Sequence, residues 1–163
     1  MSDAPGDWPL PAHAYVPGQS ARHPEGAFDA MRDAASLVTR SEEAAANPAW
    51  RYGLRLFAGG WFWECHEVLE AVWMNAPPNS RERALVQAVI QLANAALKAR
   101  MGQERATARL CTRARELAAE AAGPEGQAVM GVTRGSLRAA IAAVDSGEQE
   151  VAQRKLGEVQ YNA

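Results

Sequence analysis

Residues 61–73 read W-F-W-E-C-H-E-V-L-E-A-V-W, placing a histidine and three carboxylates among four aromatics and a thiol. Imidazole and carboxylate groups transfer protons, hold metal ions and recognise polar ligands, and they cost free energy to bury unless paired. On a helix advancing about 100° per residue, His66, Glu70 and Trp73 share one line at i, i+4 and i+7. Trp63 lies beside that line and Glu67 further round. Trp61, Cys65, Val68, Leu69 and Val72 fall on a broad apolar face that must be core. Glu64 falls well away from its centre, so the pattern predicts a solvated Glu64.

Three chemistries and one structural role suit this arrangement. Zinc proteases place a second histidine four residues after the first, but Glu70 stands at that position, so the protease pattern fails. Di-iron bundles place glutamate three residues before histidine, where this chain has Trp63. A divalent-metal half-site of His66 and Glu70 remains, with His13 or His23 to complete it. Acid–base catalysis would use His66 oriented by Glu70 and assisted by Glu67. It lacks a visible nucleophile, because Cys65 projects into the core. A pocket for a small polar ligand would use His66, Glu70, Trp73 and Trp63 with Gln87, Gln91 and Asn94. The structural alternative is a satisfied polar network of His66, Glu70, Gln87 and Gln91 that sets how two helices meet. Whether the chain is an enzyme stays open at this level, and so does the identity of any cofactor.

The elements that position these groups are helical throughout. Phe28, Met31, Ala35 and Val38 predict a first helix over about 27–46. Asn47-Pro48 reads as an N-cap followed by proline at the first helical position, opening a second helix that stops at Gly59-Gly60. The quoted segment is the third helix, ended by Pro77-Pro78. Ser80 caps a fourth over about 81–101. Within it Gln87, Gln91, Asn94 and Lys98 make a narrow polar stripe on an otherwise apolar helix, the natural partner for His66 and Glu70. A fifth helix covers about 103–122 and a short last one about 136–146. The reading is an all-α, single-domain bundle of five to six helices, with an extended proline-rich arm over 1–25, the bundle over 26–147 and a tail over 148–163.

Bulk properties narrow the function further. The 163 residues amount to one domain. A net charge of −2 argues against a nucleic-acid protein that works through basicity. No apolar run approaches a membrane span. The amino terminus lacks the pattern of a signal peptide. Two cysteines far apart suit a reduced, cytoplasmic protein. In the arm, Trp8 reads as an anchor or homodimer contact, while His13 and His23 read as exposed and inert. Arg105, Arg109 and Arg113 form a stripe on the fifth helix that reads as a solvated face.

The run L-F-A-G-G-W-F-W-E-C-H-E-V-L-E-A-V-W, followed by L-V-Q-A-V-I-Q-L-A-N-A-A-L-K-A-R, resembles domain-of-unknown-function family 309 across about 52–118. The resemblance rests on Phe62, His66, Glu67, Glu70, Trp73, Gln87 and Gln91. It implies a small helical bundle with a signature of the form aromatic-x-x-x-H-E-x-x-E-x-x-W, and a family role that is itself unassigned. Members often carry a histidine after the Gln-rich segment, where this chain reads Ala96-Leu97-Lys98. The resemblance therefore implies a pocket without a second histidine there. Together these readings describe a protein of unknown function with a His/Glu/Trp pocket. Its alternatives are a metal-assisted hydrolase and a homo-oligomeric interaction module.

Overall fold

A computed structural model describes residues 6–124 and 127–159. The expected arm's residues 1–5 and the expected tail's 160–163 lie outside that range. The described chain is all-α, in the order α1 Asp29–Asp33, a 3-10 helix Ser41–Ala46, α2 Pro48–Gly59, α3 Phe62–Met74, α4 Arg81–Arg100, α5 Glu104–Ala121, α6 Arg134–Asp145 and α7 Gln149–Gly157.

Helix ends follow local chemistry. The Asn47 side chain accepts from the Trp50 amide at 3.3 Å, with Pro48 opening α2. Gly60 closes α2 in the left-handed region at φ 90°, a conformation that favours glycine and lets α3 begin two residues later. Ser80 caps α4 through the Arg83 amide at 3.1 Å, and Thr133 caps α6 through the Ser136 amide at 3.1 Å.

The long first helix expected over 27–46 does not form. After five residues the chain leaves helix, and it returns only as the 3-10 turn Ser41–Ala46. Tertiary partners override the local pattern. Thr39 donates its amide to the Asn75 carbonyl at 3.0 Å and its hydroxyl to the Val72 carbonyl at 2.8 Å, while Asn75 donates to the Ser36 carbonyl at 2.8 Å. These bonds satisfy the last turn of α3 and hold 36–39 away from a helical path. The stretch expected as a tail carries α7, which packs on α6 and α2 through buried Ala152 and Leu156.

Packing runs α2 on α3, α3 on α4, α4 on α5, α5 on α6, and α7 back onto α2. α4 is the central helix: Leu85, Val86, Ala88, Val89, Leu92, Ala93, Ala95 and Ala96 are all buried. Trp50, Phe57, Phe62, Cys65, Val68, Leu69 and Val72 form the core between α2, α3 and α4, with Cys65, Val68, Leu69 and Val72 on the apolar face expected of α3. Trp61, expected in the same face, is half-buried and lies over Gly59. No helix among the described residues is long and apolar enough to cross a membrane.

Two predictions follow from the core. A Cβ at Gly53 would stand 2.2 Å from Leu69 Cδ2 and 2.6 Å from its Cγ. Gly53→Ala should therefore destabilise by about 1–3 kcal/mol, overriding the roughly 1 kcal/mol that alanine gains in a helix, and calorimetry should show a melting temperature lower by several degrees. The two thiols supply the second test. Cys65 and Cys111 are free and buried, and burial pushes both up, Cys111 to about 11. A thiol reagent at pH 8 should label neither in the native protein and both after unfolding. Because the unfolded chain loses these protons near an ordinary value of about 8.5 while the folded chain keeps them, stability should fall as pH rises above that value.

Candidate functional site

α3 presents two polar clusters, both on the side that meets α1 and the arm. The first is His66, Glu67 and Glu70. Each offers one donor atom, and those atoms lie within 4.8 Å of one another. All three residues are half-buried. Helical spacing accounts for this convergence, since i and i+4 stack on one face and Glu67 bends round toward them.

Arg32 of α1 completes the cluster. Its Nη1 lies 3.5 Å from Glu67 Oε2 and 3.8 Å from Glu70 Oε2, and it donates to the Glu67 carbonyl at 3.2 Å. The carboxylates are 29% and 41% exposed, so each ion pair contributes at most about 1 kcal/mol. Arg32 had no signal in the sequence because its role needs α1 to dock on α3.

The second cluster overturns two expectations. Glu64 is fully buried, not solvated. Its Oε1 accepts from the Tyr15 amide at 2.5 Å and pairs with His23 Nε2 at 2.8 Å. His23 is correspondingly enclosed, its side chain 9% exposed, rather than exposed and inert. The wheel placed Glu64 well away from the centre of the core face and read that edge as open to solvent. What it could not supply was the arm, which lies across that edge and replaces water with its own donors. The His23 ring stacks on His13 at 4.7 Å and on Trp63 at 6.0 Å, and meets Phe28 edge-on at 5.1 Å. Tyr15 meets Trp63 edge-on at 5.1 Å. Further along, Tyr52 donates to the Pro9 carbonyl at 2.9 Å and packs against Trp8, matching the anchor role expected of that tryptophan. Burial pushes the Tyr52 hydroxyl above its ordinary value. Burial lowers the Arg100 guanidinium, and the Glu64 charge opposes that shift.

An open groove of about 530 Å³ is lined by Arg22, His23, Phe28, Arg32, Trp63 and Glu67 among others; of the two clusters it takes in Glu67 and His23, and not His66, Glu70 or Glu64. A smaller cavity of about 280 Å³, between the start of α4, the end of α5 and the start of α6, has neither a carboxylate nor an imidazole in its wall among the described residues.

Gln87, Gln91, Asn94 and Lys98 are half-buried on α4. Among the described residues, Gln87, Gln91 and Asn94 make no side-chain hydrogen bond to His66 or Glu70; Arg32 is the side chain that reaches Glu70. Trp73 sits under the Arg83 guanidinium at 4.2 Å, and its indole N–H is buried without a partner. On α5, Arg105 and Arg109 are exposed, and exposed Arg113 pairs with Glu116 at 3.1 Å.

Residues 50–110 match the family model described as Domain of unknown function (DUF309), and over that stretch the chain resembles this family. The match spans α2, α3, α4 and the first part of α5, so it contains the His66, Glu67 and Glu70 cluster and Glu64, while Arg32 and His23 lie outside it. The family description names no activity, and the chain is a protein of unknown function. No curated protein and no solved structure matches the chain.

The Glu64 pair makes a direct prediction. His23→Ala leaves a buried carboxylate with one donor fewer. The expected result is a loss of about 1–3 kcal/mol in urea unfolding, from leaving a buried acceptor short of a partner.

Proposed function

We propose that this protein binds a small polar ligand at the edge of α3, and that His66, Glu67 and Glu70 are its primary contacts, with Trp63 as an apolar wall. The observation that carries this reading is the convergence of three donor atoms within 4.8 Å while their carboxylates stay open to solvent. A group held only for helix packing would be enclosed and hydrogen-bonded across the interface. The partner expected for such a network, the Gln87 and Gln91 stripe, makes no hydrogen bond to it among the described residues.

The donor set favours a cationic group, and a divalent metal ion is the simplest one. One imidazole and two carboxylates match a three-ligand site with further positions free for solvent or substrate. Arg32 already places a single positive charge on the two carboxylates. A divalent ion would bring twice that charge, and the partly exposed guanidinium is free to turn toward solvent. Trp73 continues the same line of α3 beyond Glu70, with its ring under the Arg83 guanidinium and its indole N–H buried.

A metal-assisted hydrolase is the second reading, favoured by those free coordination positions. The ion would act as a Lewis acid and lower the pKa of a bound water. Glu67 or Glu70 would orient that water, and Trp63 would screen it. The homo-oligomeric alternative has less support, because Trp8 and Tyr15 spend their rings on Tyr52 and Trp63 of the same chain. Two free, buried thiols favour a reducing, cytoplasmic setting.

Titration calorimetry of the untagged protein with zinc and manganese tests the proposal. Near-stoichiometric binding is expected. His66→Ala and Glu70→Gln should weaken it at least tenfold while shifting the melting temperature little, and Arg32→Gln should tighten it by removing the competing cation. Absence of binding in the wild type, or a large stability loss in His66→Ala with unchanged binding, would return the cluster to a structural role.

A further inference from the structure

The groove has a second chemical wall, and the arm supplies it. His23 lines the groove together with Glu67, Arg32 and Trp63. Its Nε2 is engaged by Glu64 at 2.8 Å. The same Glu64 Oε1 already accepts from the Tyr15 amide, and as an acceptor toward both partners it places the hydrogen of this bond on Nε2. In the neutral ring the other nitrogen, Nδ1, is then the lone-pair acceptor. It makes no hydrogen bond with the described residues. A buried carboxylate that fixes one ring nitrogen as donor and leaves the other basic is the arrangement by which imidazoles are set up to accept protons.

The surroundings hold this geometry rigidly. Glu64 is fully buried and is anchored a second time by the Tyr15 amide. The imidazole is flanked by His13, Trp63 and Phe28. His13 is itself fixed, its Nε2 bonded to the Ala21 carbonyl at 2.7 Å. The charged groups of the same groove are Arg22, Glu25, Asp29, Arg32 and Glu67, and the Arg100 guanidinium feels the Glu64 charge from the far side.

We infer that His23, positioned by Glu64, is a proton-accepting residue of the groove, so that the site is a composite of the arm and α3. Its partner is the O–H of a ligand or of a groove water. The O–H bond breaks, its proton passes to Nδ1, and the oxygen keeps the electron pair. The resulting imidazolium is balanced by the Glu64 carboxylate at its opposite nitrogen, with no net change in charge. Glu64 is a positioning residue, since its hydrogen bonds go to the arm. The inference rests on the proposed ligand site at His66, Glu67 and Glu70 extending into the groove, which Glu67 also lines. It adds a residue that lies outside the family match and outside the metal-binding trio.

Side-chain nitrogen spectroscopy on the full chain, labelled at its three histidines, tests this without a known substrate. His23→Gln assigns the signals. The wild type at neutral pH is expected to hold His23 with Nε2 protonated and Nδ1 bare, and Glu64→Gln to mix the two tautomers. As an activity-independent reactivity test, diethyl pyrocarbonate should acylate His23 at least tenfold faster in the wild type than in Glu64→Gln, read by peptide mass spectrometry. Finding the hydrogen on Nδ1 in the wild type overturns the inference whatever the variants do, and so does an equal acylation rate in folded Glu64→Gln. Failure of the groove reading itself would appear instead as absent metal binding, with the His23 tautomer unchanged.

Discussion

A carboxylate removed from water must be met by donors, and the start of α3 is organised around that requirement. Glu64 is fully buried beside Cys65, in a helix whose neighbouring face is entirely core. Its hydrogen-bonding donors among the described residues are the Tyr15 amide and the His23 imidazole, both from the arm and both on Oε1, while Oε2 is buried without a partner among them. Leaving such a group unpaired costs far more than an average hydrogen bond contributes. The described part of the arm, from residue 6, therefore belongs to the folded unit although it contains no helix before Asp29. By lying along α3 it also creates the groove, because its residues 22–29 stand opposite Trp63 and Glu67.

The same helix divides its labour by depth. Cys65, Val68, Leu69 and Val72 are buried without remainder and hold α3 against α2 and α4. One step round the axis, His66, Glu67 and Glu70 remain half-open, balanced by a single arginine from α1. A bundle can carry polar chemistry on a helix this apolar because tight packing on one face makes the other face a rigid platform. α1 is too short to be stable alone, and its place is set by contacts with α3. Arg32 therefore reports the docking of α1 as much as it shields the carboxylates.

How far the residues themselves reveal this site differs among four positions. His66 and Glu70 were recognisable because their spacing is a property of any helix, and a helix was unavoidable between Gly60 and Pro77. Glu64 was misread because helical phase describes direction and says nothing of what lies in that direction. His23 was misread because a histidine among prolines has no periodic neighbours to place it. The first helix failed for a related reason: Phe28, Met31 and Ala35 keep helical spacing, but hydrogen bonds that Thr39 donates to the end of α3 and that the Ser36 carbonyl accepts from Asn75 compete with it.

Local chemistry written in the chain thus determined the all-α class, the bounds of α2 to α5, the central burial of α4 and the line of His66, Glu70 and Trp73. These follow from caps, breakers and period, which act between residues a few positions apart. Tertiary structure alone decided that Glu64 is buried, that His23 is its partner 41 residues away, that Arg32 crosses to Glu67 and Glu70, and that α7 closes back on α2. Such contacts depend on where separate segments come to rest, and no periodicity within one segment records the position of another.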